Sequence, residues 1–433
     1  MVRERERWSS TLGFILATVG SAVGIGNIWR FPYIVGVNGG GAFLVPYVIS
    51  VLLFGLPLMV LELAIGRSTG RSVVDAFRSI QRRFAAAGLV IVAVVSLILG
   101  YYLVVAGWVL AYALFFLIGQ PIDFDLFTGS YLPLVFFLLA GLAVFVTVRS
   151  GVREGIERAS RYLIPVMLAI LLFLAAFSLT QPGAGAGIGF YLSPDFSRLN
   201  DPAVWVAAFG QAFFSLSVGM GILLTFGSYL REESLFRSAT IIAVADMAIA
   251  ILAGLMVFPL VFTSGLDPAA GVNLAFVTLP SVFTQIRFGM VLGALFFFML
   301  FAAALTSAVS MLEVPVAALM DSYDYPRRRA TLLVFAAIML LGLPSALSYT
   351  TLGFSVFGTP FLDLADYAFG TVGLIVAALI IAIVGGWFMD RTRICAEIGG
   401  CGWQQRVYMA LVRYAVPAVL LITLMGSLFQ IAG

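Results

Sequence analysis

Gly20-Ser21-Ala22-Val23-Gly24-Ile25-Gly26-Asn27 lies in the middle of the first long apolar segment of the chain, and its reading decides the fold. Three glycines within seven residues each weaken helix propagation by about 1 kcal/mol relative to alanine, and a polar asparagine follows them. Hydrocarbon offers no water to a freed backbone, so irregular backbone persists there only against protein or a water-filled cavity. The stretch therefore reads as a break in a membrane helix. Such a break presents carbonyl oxygens and a helix N-terminus to a ligand near the midplane.

Composition places the segment in a bilayer. Of 433 residues, 62% are hydrophobic and 10% charged, whereas soluble domains carry about 25% charged residues. Apolar runs of about 20 residues, enough to span ~30 Å of hydrocarbon, recur at 11–35, 42–65, 87–118, 131–148, 163–179, 203–229, 239–262, 288–319, 331–343, 352–388 and 407–429. The expectation is an all-α polytopic protein of about eleven transmembrane helices in one domain spanning 1–433.

Arginine sets the orientation. Arg3, Arg5 and Arg7 precede the first helix, and alternate connections carry arginines within 67–83, 149–161, 231–237, 327–329 and 391–406. The opposite connections hold mainly Arg198 and Arg287 with acids such as Asp123, Asp125, Asp195, Asp201 and Asp267. By the positive-inside rule the N-terminus is cytoplasmic in an inner (plasma) membrane, and eleven crossings leave the C-terminus outside.

The same inventory excludes several functions. With no histidine in the chain, zinc chemistry and histidine catalysis are out, and no nucleophile and base pair points to an intramembrane hydrolase. No enzyme and no nucleic-acid partner is expected. Cys395 and Cys401 fall in a connection assigned to the cytoplasm, where thiols stay reduced.

The sixth segment repeats the oddity of the first, with Ser215-Leu216-Ser217-Val218-Gly219-Met220-Gly221 in its middle. Each broken segment opens a group of five, at about 9–180 and 203–388, with one further helix at about 406–430. Paired interruptions at matching places in two halves point to an inverted-repeat transporter with its site between the breaks.

Particular motifs carry a resemblance. Trp8, Gly20 to Pro32 (GSAVGIGNIWRFP), Asn38 to Tyr47 (NGGGAFLVPY), Gly55 to Glu62, Gly100-Tyr101-Tyr102, Gly210 to Gly221, Ala303 to Ser307 and Asp366 to Thr371 together resemble the neurotransmitter:sodium symporter family, closest in look to its bacterial hydrophobic amino-acid members. The likeness covers nearly the whole chain, although the twelfth helix usual in that family is missing.

The resemblance implies two sodium sites. One would use the Ala22 carbonyl, Asn27, Ser215, Asp246 and the substrate carboxylate. The other would use the carbonyls of Gly20, Val23 and Ala303 with the hydroxyls of Thr306 and Ser307. The residues alone agree in part, since Ala303, Thr306 and Ser307 share one helix face; back-bonding of both hydroxyls to the preceding turn is the plain alternative. Asp246 stands where the bacterial leucine transporter has asparagine. A buried acid in a membrane helix is a functional candidate, with an interhelical salt bridge as the other reading. The family either uses chloride here or supplies a nearby acid on the seventh helix; in this chain Ala250 occupies that acid's place, while Tyr47, Gln211 and Ser215 match the other chloride-site members. Transport independent of chloride is therefore expected, with Asp246 in the anion's stead.

Amine-carrying relatives place an aspartate where this chain has Gly24, so the substrate here is expected to bring its own carboxylate. The resemblance puts that carboxylate near Gly26 and Tyr102. Around it lie Ser21, Ala22, Ile25, Ile98, Phe214, Ser215, Ser217, Met220, Ser307 and Met311 as substrate-binding positions. Two methionines make that pocket adaptable, and its apolar character favours aliphatic or aromatic L-amino acids; core filling is the alternative for each methionine alone. Gates are implied at Arg30 with Asp366, and on the cytoplasmic side at Arg5 with Asp321, supported by Trp8 and Tyr229. Taken without the family, Arg30 reads equally as a side chain reaching the interface and Arg5 as one charge of a solvated tail. Glu62 and Glu313 read as acids that hold neighbouring backbone. The expected activity is sodium-coupled import of a hydrophobic L-amino acid by alternating access. A chloride-dependent amine or osmolyte transporter, or a sensor or channel that does not transport, are the competing readings.

Overall fold

The computed structural model describes residues 6–193, 196–230, 234–265, 274–400 and 402–432. Among these, nine helices are long and apolar enough to cross a membrane: Gly40–Thr69, Arg82–Leu117, Leu132–Arg149, Val152–Leu179, Leu235–Thr263, Gly289–Tyr323, Arg327–Ala346, Phe361–Phe388 and Trp403–Leu428. A tenth crossing is the pair Thr11–Ala22 and Gly26–Val37, bent by 53° at the break. An eleventh apolar segment is divided into Pro202–Ser215 and Ile222–Gly227. Counted in chain order, the two broken segments are the first and the sixth spans.

Both breaks fall where the glycines and polar residues cluster. The first helix ends at Ala22, and Val23 turns to an extended ψ of 94° before helical backbone resumes. In the sixth span, Ser217, Gly219 and Gly221 take φ of 53°, 90° and 71°. A left-handed conformation is open to glycine and strained for serine. Close packing adds a second reason for glycine at 219, where a Cβ would lie 2.8 Å from that of Ala378.

The tenth span is shorter than expected from hydropathy. Before Phe361 the chain forms a two-stranded hairpin, pairing Ser355 with Pro360 and Val356 with Thr359. Phe357 and Gly358 at φ of 53° and 80° turn it. The exposed Leu352, Phe354 and Phe357 supply the apolar signal that extends the run in sequence without belonging to a helix. The fifth and ninth spans are longer than expected, starting at Val152 and Arg327. Their first turns carry arginines, which keep the charge at the membrane edge while the helix continues inward.

The third and eighth spans, Arg82–Leu117 and Gly289–Tyr323, form the most extensive helix pair of the molecule. The two breaks lie against this pair. The backbone of the first break meets Tyr102 of the third span and Ser307 of the eighth, so both broken helices are held where long, continuous helices pass.

Candidate binding site

Asp246, in the seventh span, is completely buried. Its Oδ1 accepts a hydrogen bond from Asn27 Nδ2 at 2.6 Å, and its Oδ2 accepts one from the Ser215 hydroxyl at 2.6 Å. Asn27 Nδ2 also lies 2.9 Å from Ser215 Oγ. The Asn27 side-chain oxygen in turn accepts from the Gly24 amide at 3.3 Å, which ties the break to the carboxylate. Tyr47 stands 3.5 Å from Ser215 Oγ, and Ala250 is buried one helical turn beyond Asp246. Among the described residues no arginine pairs with Asp246, so the interhelical salt bridge is not formed. A buried carboxylate with only two neutral donors is incompletely neutralised, and this group of oxygens could hold a cation.

A second group lies on the other side of the break. A Cβ at Gly20 would sit 3.1 Å from Thr306 Cβ, and one at Gly24 would sit 3.3 Å from Ser307 Oγ. The Thr306 hydroxyl donates back to the carbonyls of Ala302 and Ala303 at 3.2 and 3.1 Å. That local habit leaves the hydroxyl oxygen lone pairs turned outward as acceptors. Thr306 and Ser307 are buried at 3% and 4% exposure beside the unwound turn.

The pocket positions fall into two tiers. The Tyr102 hydroxyl accepts from the Ile25 amide at 3.4 Å, and it and Ser307 both lie against Gly24. The Phe214 ring lies directly over Gly26, where any Cβ would be 2.5 Å from it, and Gln211 Nε2 donates to the Gly26 carbonyl at 3.3 Å. A cavity of about 420 Å³ comes down to Ile25, Gly26, Tyr102 and Phe214 and stops there. Beneath it Ile98, Ser217, Met220, Ser307 and Met311 are buried. Ser217 donates to the Ser21 carbonyl at 2.9 Å, so the two breaks touch, while the buried Ser21 hydroxyl has no partner.

Above Phe214 the Arg30 guanidinium covers the ring at 4.2 Å from its centroid. Asp366 lines the same cavity, with Trp108, Asp125, Tyr349 and Asp363 nearer its mouth. Arg30 and Asp366 share the space without forming an ion pair, and the Tyr101 hydroxyl lies beside Asp366, a Cβ at Gly370 falling 2.2 Å from the one and 2.8 Å from the Oδ1 of the other. Tyr101 escapes the sequence reading, although its neighbour Tyr102 does not. Its signal is Gly370, one turn beyond Asp366, where a side chain would run into the Tyr101 hydroxyl.

Arg5, the expected cytoplasmic-gate residue, lies outside the described residues. Its expected partner Asp321 accepts a hydrogen bond from the Ser72 amide at 2.6 Å. Trp8 donates to the Phe226 carbonyl at 3.0 Å and packs against Phe14, Phe226 and Tyr229. Tyr229 donates to Glu313 at 2.6 Å, and Arg327 holds the same carboxylate with two bonds of 2.7 and 2.8 Å. Arg327 also reaches Glu6 at 2.5 Å and the Val148 carbonyl at 3.1 Å. Glu313 thus anchors an ion-pair network as well as a helix. The sequence signal is an acid deep in the eighth span asking for a base, but Arg327 reads in sequence like its neighbours Arg328 and Arg329, as a loop charge. Glu62 holds the Gly219 amide of the sixth-span break at 2.6 Å.

The chain matches the model of the sodium:neurotransmitter symporter family over residues 5–124 and 129–432. It is 34% identical to an uncharacterized sodium-dependent transporter of Haemophilus influenzae, covering 99% of each chain. It is 30% identical to the human sodium- and chloride-dependent taurine transporter over 74% of this chain and 61% of that protein. The crystal structure of MhsT in complex with L-phenylalanine superposes with a TM-score of 0.90 at 41% identity, covering 98% of this chain and all of that one. With eleven apolar segments, two of them broken at facing positions, and a family match that leaves only a few residues uncovered, this chain belongs to the sodium:neurotransmitter symporter family and is a multi-pass membrane transporter.

Proposed function

We propose that this transporter couples two sodium ions to the import of a hydrophobic L-amino acid, without a requirement for chloride. One observation carries the substrate class. Gly24 puts no side-chain carboxylate into the break, and a Cβ there would already come 3.0 Å from the Tyr102 hydroxyl, tighter than ordinary contact. The negative charge that completes the site beside Asn27 and Ala22 then comes with the substrate. The bound L-phenylalanine of MhsT agrees with that class.

In the proposed cycle, sodium binds at Asn27, Ser215, Asp246 and the Ala22 carbonyl, next to the substrate carboxylate. A second sodium binds at Gly20, Val23, Ala303, Thr306 and Ser307. The ammonium group faces carbonyls of the two breaks, and the apolar side chain enters the tier of Ile98, Met220 and Met311. Since the first ion touches the substrate and both ions touch the first break, each ligand completes the site of the next. Asp246 supplies a fixed negative charge where chloride would otherwise be needed, and that favours amino-acid transport over the chloride-dependent osmolyte reading. Arginine placement supports a cytoplasmic N-terminus and an external C-terminus.

Uptake into proteoliposomes tests this reading. Labelled L-phenylalanine should accumulate above equilibrium with an inward sodium gradient, equally in chloride and in gluconate. A strict chloride requirement would remove the role given to Asp246, and equilibration without accumulation would mark a channel.

A further inference from the structure

A second feature lies apart from the transport path. At the ends of the third and eighth spans opposite the N-terminus, a groove of about 660 Å³ opens on the outer wall of the molecule. It is lined by apolar side chains alone, among them Leu114, Leu117, Met290, Ala294 and Phe298. Both walls belong to membrane-spanning helices, so the medium facing the groove is lipid.

A charge stands just before the groove's Met290 in the chain. Arg287 and Phe288 immediately precede the eighth span, and both are exposed. Phe288 takes a left-handed φ of 61°, a strained conformation for a bulky residue. Its ring lies under the Arg287 guanidinium, 4.9 Å from ring centroid to charge. Among the described residues Arg287 has no carboxylate partner. A guanidinium with no carboxylate partner among the described residues, three residues before Met290 of an apolar groove, complements a lipid that pairs a negative head with an acyl tail.

We propose that the groove holds one acyl chain of an anionic phospholipid whose phosphate is bound by Arg287. The third and eighth spans carry Ile98, Tyr102, Thr306 and Ser307 further along the same helices, so a lipid wedged between their far ends bears on the spacing of the candidate site.

Native mass spectrometry of the full-length transporter tests the assignment, with phosphatidylglycerol and phosphatidylcholine of matched chains as probes. Phosphatidylglycerol is expected to bind about tenfold tighter than phosphatidylcholine, as one charge-assisted contact allows. Arg287→Gln should bring the two lipids within about twofold, and Ala294→Trp, which fills the groove, should remove the high-affinity adduct of either. Unchanged thermal melting in detergent establishes that both variants are folded. A phosphatidylglycerol preference that survives both substitutions overturns the proposal. So does a groove occupied by a second copy of the chain, seen as a dimer that Ala294→Trp dissociates.

Discussion

The two ends of the path through this transporter differ in how their charges are used. On the N-terminal side Glu6, Arg327, Glu313 and Tyr229 form an unbroken chain of ion pairs and hydrogen bonds, closed over by Trp8. On the opposite side Arg30 and Asp366 face a cavity of about 420 Å³ without pairing. One end is sealed and the other is open down to Tyr102 and Phe214. Alternating access requires that these two states exchange. The seal is then a set of contacts that must break when the transporter turns inward, and the unpaired couple is a set that remains to be made.

The sealed end should yield the largest effect. Arg327→Met leaves the Glu313 carboxylate buried without its base, a loss of about 3–5 kcal/mol. The expected result is a clear fall in melting temperature and a rise in cytoplasmic-side labelling of a cysteine placed beside Trp8. The double variant Arg327→Met with Glu313→Met should recover most of the stability, because an apolar pair replaces a satisfied ion pair with little net loss. A double variant no better than the single would show that the network acts through Glu6 instead.

Asp246→Asn comes next and acts on the centre that both ends share. Removing the charge from a carboxylate with two close donors is expected to weaken sodium binding by about 10–100-fold, or to make transport depend on chloride. Unchanged sodium affinity and indifference to chloride together would sink the role assigned to Asp246. Tyr102→Phe should be milder, with amino-acid affinity falling about 3–10-fold as one hydrogen bond is lost. The smallest effect on resting stability is expected at the open end. Asp366→Asn removes an acid that forms no ion pair here, so melting should stay within about 0.5 kcal/mol of the parent, while the transport rate drops because the gate closes less firmly. If melting instead falls as far as in Arg327→Met, the couple is already closed in solution and the contrast between the ends fails.

Much of this contrast was readable from local chemistry. Glycine clusters and buried polar residues located both breaks to within a residue or two, because bilayer energetics leave few reasons to interrupt a helix. Asp246 stood out for the same reason. What was not readable depended on distance in the chain. The Glu6, Arg327 and Glu313 network joins residues up to 321 positions apart, and nothing in the charge pattern of the 327–329 run distinguishes Arg327 from its two exposed neighbours. Likewise Tyr101 and Tyr102 are adjacent, yet one lies beside Asp366 at Gly370 and the other meets the broken helix, which only the packing of the third span decides. The tenth span starts at Phe361 and not at 352 because an exposed apolar hairpin mimics a helix in hydropathy.

The central claim is that one unwound turn, Gly20 to Asn27, binds sodium and a hydrophobic amino acid together. Equilibrium binding of labelled L-phenylalanine to the purified protein, with sodium replaced stepwise by N-methylglucamine and a panel of L-amino acids as competitors, tests it most directly. The account predicts saturable binding that rises with sodium and is displaced by aliphatic and aromatic amino acids, not by taurine or amines lacking a carboxylate. Binding indifferent to sodium, or displacement by those amines, would contradict it.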